Sequence, residues 1–106
     1  MYNMNQELFH KYAYEGEKPV LVEFMAPWCV YCRRIGPAMK QVAARFADSL
    51  VVGQINIDDE PALADKERIE VVPTLMLYHK GEVLGSVVAP ESRARIEDFI
   101  ADHLGV

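Results

Sequence analysis

Cysteine is scarce in this chain: there are two, alongside a single tryptophan, in 106 residues. That is too few for the multi-bridge framework of a small secreted scaffold. Cations are also in the minority. Eleven Lys and Arg face sixteen Asp and Glu, a net charge of -5. Nucleic acids and anionic membrane surfaces need clustered positive charge, so both are excluded as partners. No apolar run approaches the about 20 residues of a membrane span. The opening Met1–Glu7 stretch has neither the basic nor the apolar region of a signal peptide. Repeats, low-complexity tracts and linkers are missing too. The three histidines, His10, His79 and His103, are scattered, so a zinc site built on the cysteines would lack its remaining ligands. What is left is an ordinary globular composition, 51% hydrophobic and 25% charged. It predicts one domain over residues 1–106 that buries roughly 65% of its unfolded surface and folds without a disulfide framework.

Both cysteines and the tryptophan fall in one stretch, Trp28-Cys29-Val30-Tyr31-Cys32. Residues three apart on a helix have Cβ atoms about 5–6 Å apart. A disulfide needs about 3.5–4.5 Å, so slight tightening of a first turn closes one. The loop it closes is tiny, which makes the bond a poor stabiliser. This fits a reversible dithiol/disulfide centre better than a structural staple. Two cysteines and no export signal predict a reducing compartment, the cytoplasm, where such a pair is catalytic more often than structural.

The pattern around the motif predicts an ordered set of elements. A helix runs from Asn5, a possible cap, to about Tyr14, with Leu8, Phe9 and Tyr12 on one face. Met1–Met4 is left open between a short edge strand and coil. Pro19–Met25 is a continuous apolar run of strand length, interrupted only by Glu23, as in a central strand covered on both faces. A long helix follows from about Cys29 to Ala47, kinked at Pro37. Leu50–Ile57 is β-rich. Asp58-Asp59-Glu60-Pro61 opens a short helix. Thr74–His79 and Glu82–Ala89 form a hairpin around Lys80-Gly81. Ser92 caps a last helix with the stripe Ile96, Phe99, Ile100 and Leu104. The early β-α-β crossover gives parallel strands and the late hairpin an antiparallel pair. The fold class is therefore α/β: a mixed sheet with helices on both faces.

Several pieces together resemble the thioredoxin family over nearly the whole chain. They are Val22-Glu23-Phe24, Ala26-Pro27-Trp28-Cys29-Val30-Tyr31-Cys32, Pro37, Asn56-Ile57-Asp58, Val72-Pro73-Thr74 and Gly81-Glu82-Val83. The resemblance implies the thioredoxin fold, a central mixed four- to five-stranded sheet flanked by four helices. Five positions depart from the family pattern. Val30-Tyr31 replaces Gly-Pro, Glu23 stands where Asp is usual, Gln54 stands in place of a lysine, and Val88 stands where a glycine is frequent. The Gly-Gly-acid signature of glutaredoxins after Thr74 is missing.

The resemblance also implies roles. Cys29, at a helix start, is the attacking thiol, because unpaired N–H groups and the helix dipole favour its thiolate. Cys32, one turn inside, resolves the mixed disulfide. Glu23 points beneath the cysteines and exchanges a proton with Cys32, its pKa raised by desolvation; the competing reading puts it at a solvated strand edge. Pro73 is a cis proline facing the disulfide. Trp28, Val72, Pro73 and Ala89 form the contact surface for an extended substrate, with simple packing as the other reading for Trp28. Val30 and Tyr31 tune the redox potential, in a direction the sequence does not give. Tyr31 either donates its hydroxyl to a thiolate or shields it. Arg33 and Arg34 add only minor positive charge. No bound cofactor or metal is expected. The expected protein is a monomeric protein-disulfide reductase, recharged by a thioredoxin-reductase-like flavoenzyme. Two other readings stay open: a peptide-binding or chaperone module with a vestigial or regulatory pair, and a more oxidising isomerase.

Overall fold

The computed structural model describes residues 1–105. In chain order the elements are β1 (Tyr2–Asn3), α1 (Gln6–His10) running on into a π-helical turn (Lys11–Glu15), β2 (Val20–Met25), α2 (Val30–Arg45), β3 (Val51–Asn56), α3 (Pro61–Lys66), β4 (Thr74–His79), β5 (Glu82–Val88) and α4 (Arg93–Leu104). Five strands form one mixed sheet in the order β1-β3-β2-β4-β5. β2 pairs parallel with β3 and antiparallel with β4. The expected fold class holds. Met1–Met4 resolves into an edge strand of two residues, parallel to β3. The first helix differs from a uniform α-helix in that its second half is π-helical.

β2 is central, and its alternation divides the core. On one face Leu21 joins Val52, Leu75 and Leu77 under Ile35, Met39 and Val42 of α2 and Ile96, Phe99 and Ile100 of α4. On the other face Val20, Val22 and Phe24 pack with Ile55 and Tyr78 against Phe9, Ala13 and Leu63 from the α1 and α3 side. Residues 20–24 are all buried, as a strand covered on both sides requires.

Local chemistry sets the element ends. The Asn5 side chain accepts from the Leu8 N–H at 2.8 Å, and the Ser92 hydroxyl accepts from the Arg95 N–H at 3.1 Å, two ordinary N-caps. Lys80 and Gly81 have φ of 51° and 82°, the positive values that a two-residue type I′ hairpin needs at both positions. Arg45 of α2 reaches Glu97 at 2.7 Å and ties α2 to α4, and Arg93, one turn earlier on α4, holds the same carboxylate at 2.9 Å. α2 passes through Pro37 as one element. Pro37 has no N–H, so the Arg33 carbonyl loses its helical donor. Among the described residues no helix is long and apolar enough to cross a membrane.

Phe99 is 2% exposed and holds α4 to the sheet face that also carries α2. Phe99→Ala should lower the unfolding free energy by about 3–5 kcal/mol, the usual cost of an aromatic-sized cavity. A urea titration of the reduced protein measures it.

Candidate active site

The site lies where β2 ends and α2 begins. Ala26, Cys29 and Cys32 form a small buried cluster beside Met25, Tyr31, Ile57 and Val72. Cys29 takes the N-cap position of α2 with extended backbone angles. Its Sγ accepts the Cys32 N–H at 3.1 Å, as a Ser or Asp oxygen does at other helix starts. The two sulfurs are joined as a disulfide, with Cα atoms 5.3 Å apart. Both cysteines are buried, Cys29 at 7% exposed slightly more open than Cys32 at 4%. The Val72 carbonyl oxygen lies 3.8 Å from Cys29 Sγ.

The loop that presents the motif is held on both sides. The Arg33 guanidinium donates twice to the Pro27 carbonyl, from Nε at 3.2 Å and Nη2 at 3.0 Å. The Trp28 indole N–H donates to Asp58 Oδ2 at 3.1 Å, while the Asp58 N–H is fixed by the Asn56 side chain at 2.9 Å. Trp28 is 63% exposed, which rules out simple core packing. In the sequence Asp58 read only as part of the family pattern and of a helix start, and Arg33 only as minor positive charge; neither of these bonds was visible there. The one available signal was the indole, which has a single donor needing a fixed acceptor.

Beside the disulfide runs a shallow groove of about 180 Å³, lined by Trp28, Ile57, Ile69, Glu70, Val71 and Val72. The Val72–Pro73 bond is cis. Pro73 itself is buried, so little of its ring is open to solvent. The exposed apolar area comes instead from Trp28, Val30, Val71 and Val88. The Pro73 carbonyl accepts the Ala89 N–H at 2.9 Å, which brings the β5–α4 turn to the same place. Ala89 has φ of 46°, a left-handed conformation that costs a residue bearing a Cβ roughly 1–2 kcal/mol. The backbone position that would favour glycine is therefore 89, one residue beyond Val88.

Glu23 is 2% exposed, which removes the solvated-edge reading. By strand alternation it shares the Leu21 face, the side covered by α2. Burial pushes its carboxyl up to about 7. Its register neighbour Gln54 gives its amide to Asn3 Oδ1 at 2.5 Å and supplies no cation. With the cysteines joined, the Tyr31 hydroxyl donates to the Pro90 carbonyl at 2.9 Å, not to a sulfur. Among the described residues no three His, Cys, Asp or Glu side chains cluster as metal ligands would.

This geometry suits dithiol exchange: one sulfur at a helix start facing a groove, a second one turn below, and a titratable acid under the helix. Residues 1–102 match the Thioredoxin family model. The chain belongs to the thioredoxin family. It is 36% identical over 97 residues to a thioredoxin of Buchnera aphidicola, covering 92% of this chain and 89% of that one. It is 32% identical over 96 residues to thioredoxin 1 of Synechococcus elongatus, covering 91% and 90%, and 32% identical over 96 residues to a thioredoxin of Porphyra purpurea, covering 91% and 90%. Family membership and the closed cysteine pair make this member a protein thiol–disulfide oxidoreductase; a purely peptide-binding role is not favoured.

The raised Glu23 carboxyl has a sign that can be checked. In the folded chain it stays protonated up to about pH 7, whereas the unfolded chain releases that proton near the ordinary value of 4.5. Between the two values the folded state binds more protons, so stability falls as pH rises. Relative to Glu23→Gln, the wild type should lose about 3 kcal/mol of unfolding free energy between pH 4 and pH 8. Paired urea titrations at the two pH values measure this.

Proposed function

We propose that this thioredoxin-family protein is a monomeric, single-domain reductase of protein disulfides, with Cys29 as nucleophile and Cys32 as resolving thiol. One observation carries the assignment: the Cys29 sulfur occupies the cap of α2 and receives the Cys32 N–H. A charge there is met by the unpaired N–H groups and positive dipole end of a sixteen-residue helix. The Cys29 thiolate attacks one sulfur of a substrate disulfide. A mixed disulfide forms and the other substrate sulfur leaves as a thiolate. Cys32 then attacks Cys29 Sγ, the substrate departs as a dithiol carrying two electrons from the enzyme, and the enzyme is left oxidised with the Cys29–Cys32 disulfide formed.

Cys32 must lose its proton to attack. Glu23 is the acceptor in this scheme, directly or through water, and a carboxyl near 7 has both forms present at neutral pH. The substrate lies extended along the groove, in contact with Trp28, Val72 and Ala89, with the backbone of Val72 available for strand-like pairing. Val30 and Tyr31 bear on the potential and on the groove. The reductant is a thioredoxin-reductase-like flavoenzyme, and the compartment is the cytoplasm, where dithiols are kept reduced.

Insulin reduction coupled to dithiothreitol tests the assignment. Cys29→Ser should abolish turnover, and Cys32→Ser should trap substrate as a mixed disulfide visible on a non-reducing gel. A potential near about -270 mV supports the reductase direction; one near about -120 mV would make the protein an oxidant instead.

A further inference from the structure

We propose that Tyr31 is a positioning residue for substrate: its hydroxyl holds the Val88–Pro90 turn, which meets the Val72–Pro73 segment at the groove's edge, as a second wall against which polypeptide disulfides are read. The proposal rests on the groove assignment above and adds to it which residue sets the preference for polypeptides over small disulfides.

Three observations carry it. First, Tyr31 sits between the two cysteines, yet its hydroxyl reaches across to the Pro90 carbonyl at 2.9 Å, 59 residues away in sequence. Its ring is partly buried against the core face that includes Leu84 and Val87 of β5, so the phenol is aimed by packing. Second, the turn it holds is conformationally costly. Ala89 stands at φ of 46°, a region that glycine enters freely and alanine does not. Third, the same turn makes one further link, from the Ala89 N–H to the Pro73 carbonyl, next to the Val72 oxygen that faces Cys29 Sγ. The turn is thus pinned from the redox helix on one side and from the Val72–Pro73 segment on the other, with exposed Val88 at its edge. Without the phenol bond, Ala89 relaxes toward negative φ and Val88 moves relative to Val72. A long substrate spans both walls and registers that shift. A small disulfide needs only the sulfur and does not.

The experiment compares insulin with 5,5′-dithiobis(2-nitrobenzoate) as substrates. Tyr31→Phe keeps the ring and removes the bond. It should raise the insulin KM about five-fold, the scale of one neutral hydrogen bond, with kcat moving less than about two-fold. The insulin-to-small-disulfide preference should fall by the same about five-fold factor. Adding Ala89→Gly should bring the insulin KM back to within about two-fold of wild type, because glycine enters the left-handed region without strain and the residue 89 N–H still reaches the Pro73 carbonyl. Equal losses on both substrates would mean that Tyr31 acts through the sulfurs and their potential alone, and would overturn the proposal. An unmoved insulin KM would overturn it as well. Val88→Glu then separates the two failures. If that variant raises the insulin KM, the groove stands and only the tether is wrong; if it does not, polypeptides lie elsewhere and the groove assignment falls with it.

Discussion

A sulfur in place of a capping oxygen is the constraint on which the site depends. Helix starts need an acceptor for their free N–H groups, and Asn5 and Ser92 meet that need in the usual way. At α2 the acceptor is Cys29 Sγ. One arrangement therefore terminates the helix, fixes the sulfur and places positive potential on it. The remaining parts serve this junction. β2 must end there, which Ala26 and Pro27 accomplish, and the loop must not sag, which Arg33 and Asp58 prevent from opposite sides.

The second organising fact is that β2 is covered on both faces. Such a strand tolerates almost no polar group, and the one it carries, Glu23, is desolvated without a cation in register. Chemistry and packing compete at that residue. The fold accommodates the carboxyl by leaving it neutral over the acidic half of the pH range, the state that a proton acceptor must be able to leave as pH approaches neutrality.

Much of this was legible in the chain. The apolar run of β2, the β-rich stretch of β3, the β4–β5 hairpin around Lys80-Gly81 and the helical stripe of α4 pointed to the sheet and its two layers, because runs bounded by turn residues and stripes at helical spacing have few other solutions. The C-x-x-C spacing and the buried acid could also be read, since both depend on neighbours in sequence. What stayed hidden depends on long-range pairing. A two-residue strand such as β1 has no period to detect. The π-helical turn after His10 carries no signature in Lys11–Glu15. Tyr31 finds its partner 59 residues away and Trp28 finds Asp58 30 residues away, so neither bond could be seen from a window of any useful length. The glycine-like position fell at Ala89, one residue past Val88; a register error of one is what a turn without Gly or Asn conceals.

Trp28 has a practical consequence. It is the chain's sole indole, largely solvated, pinned by Asp58 and adjacent to the sulfurs and the groove. Its emission therefore has one source and one location. Opening or closing of the cysteine pair and occupation of the groove both change the surroundings of that fluorophore, so the protein carries an intrinsic optical record of its own catalytic cycle without any attached label.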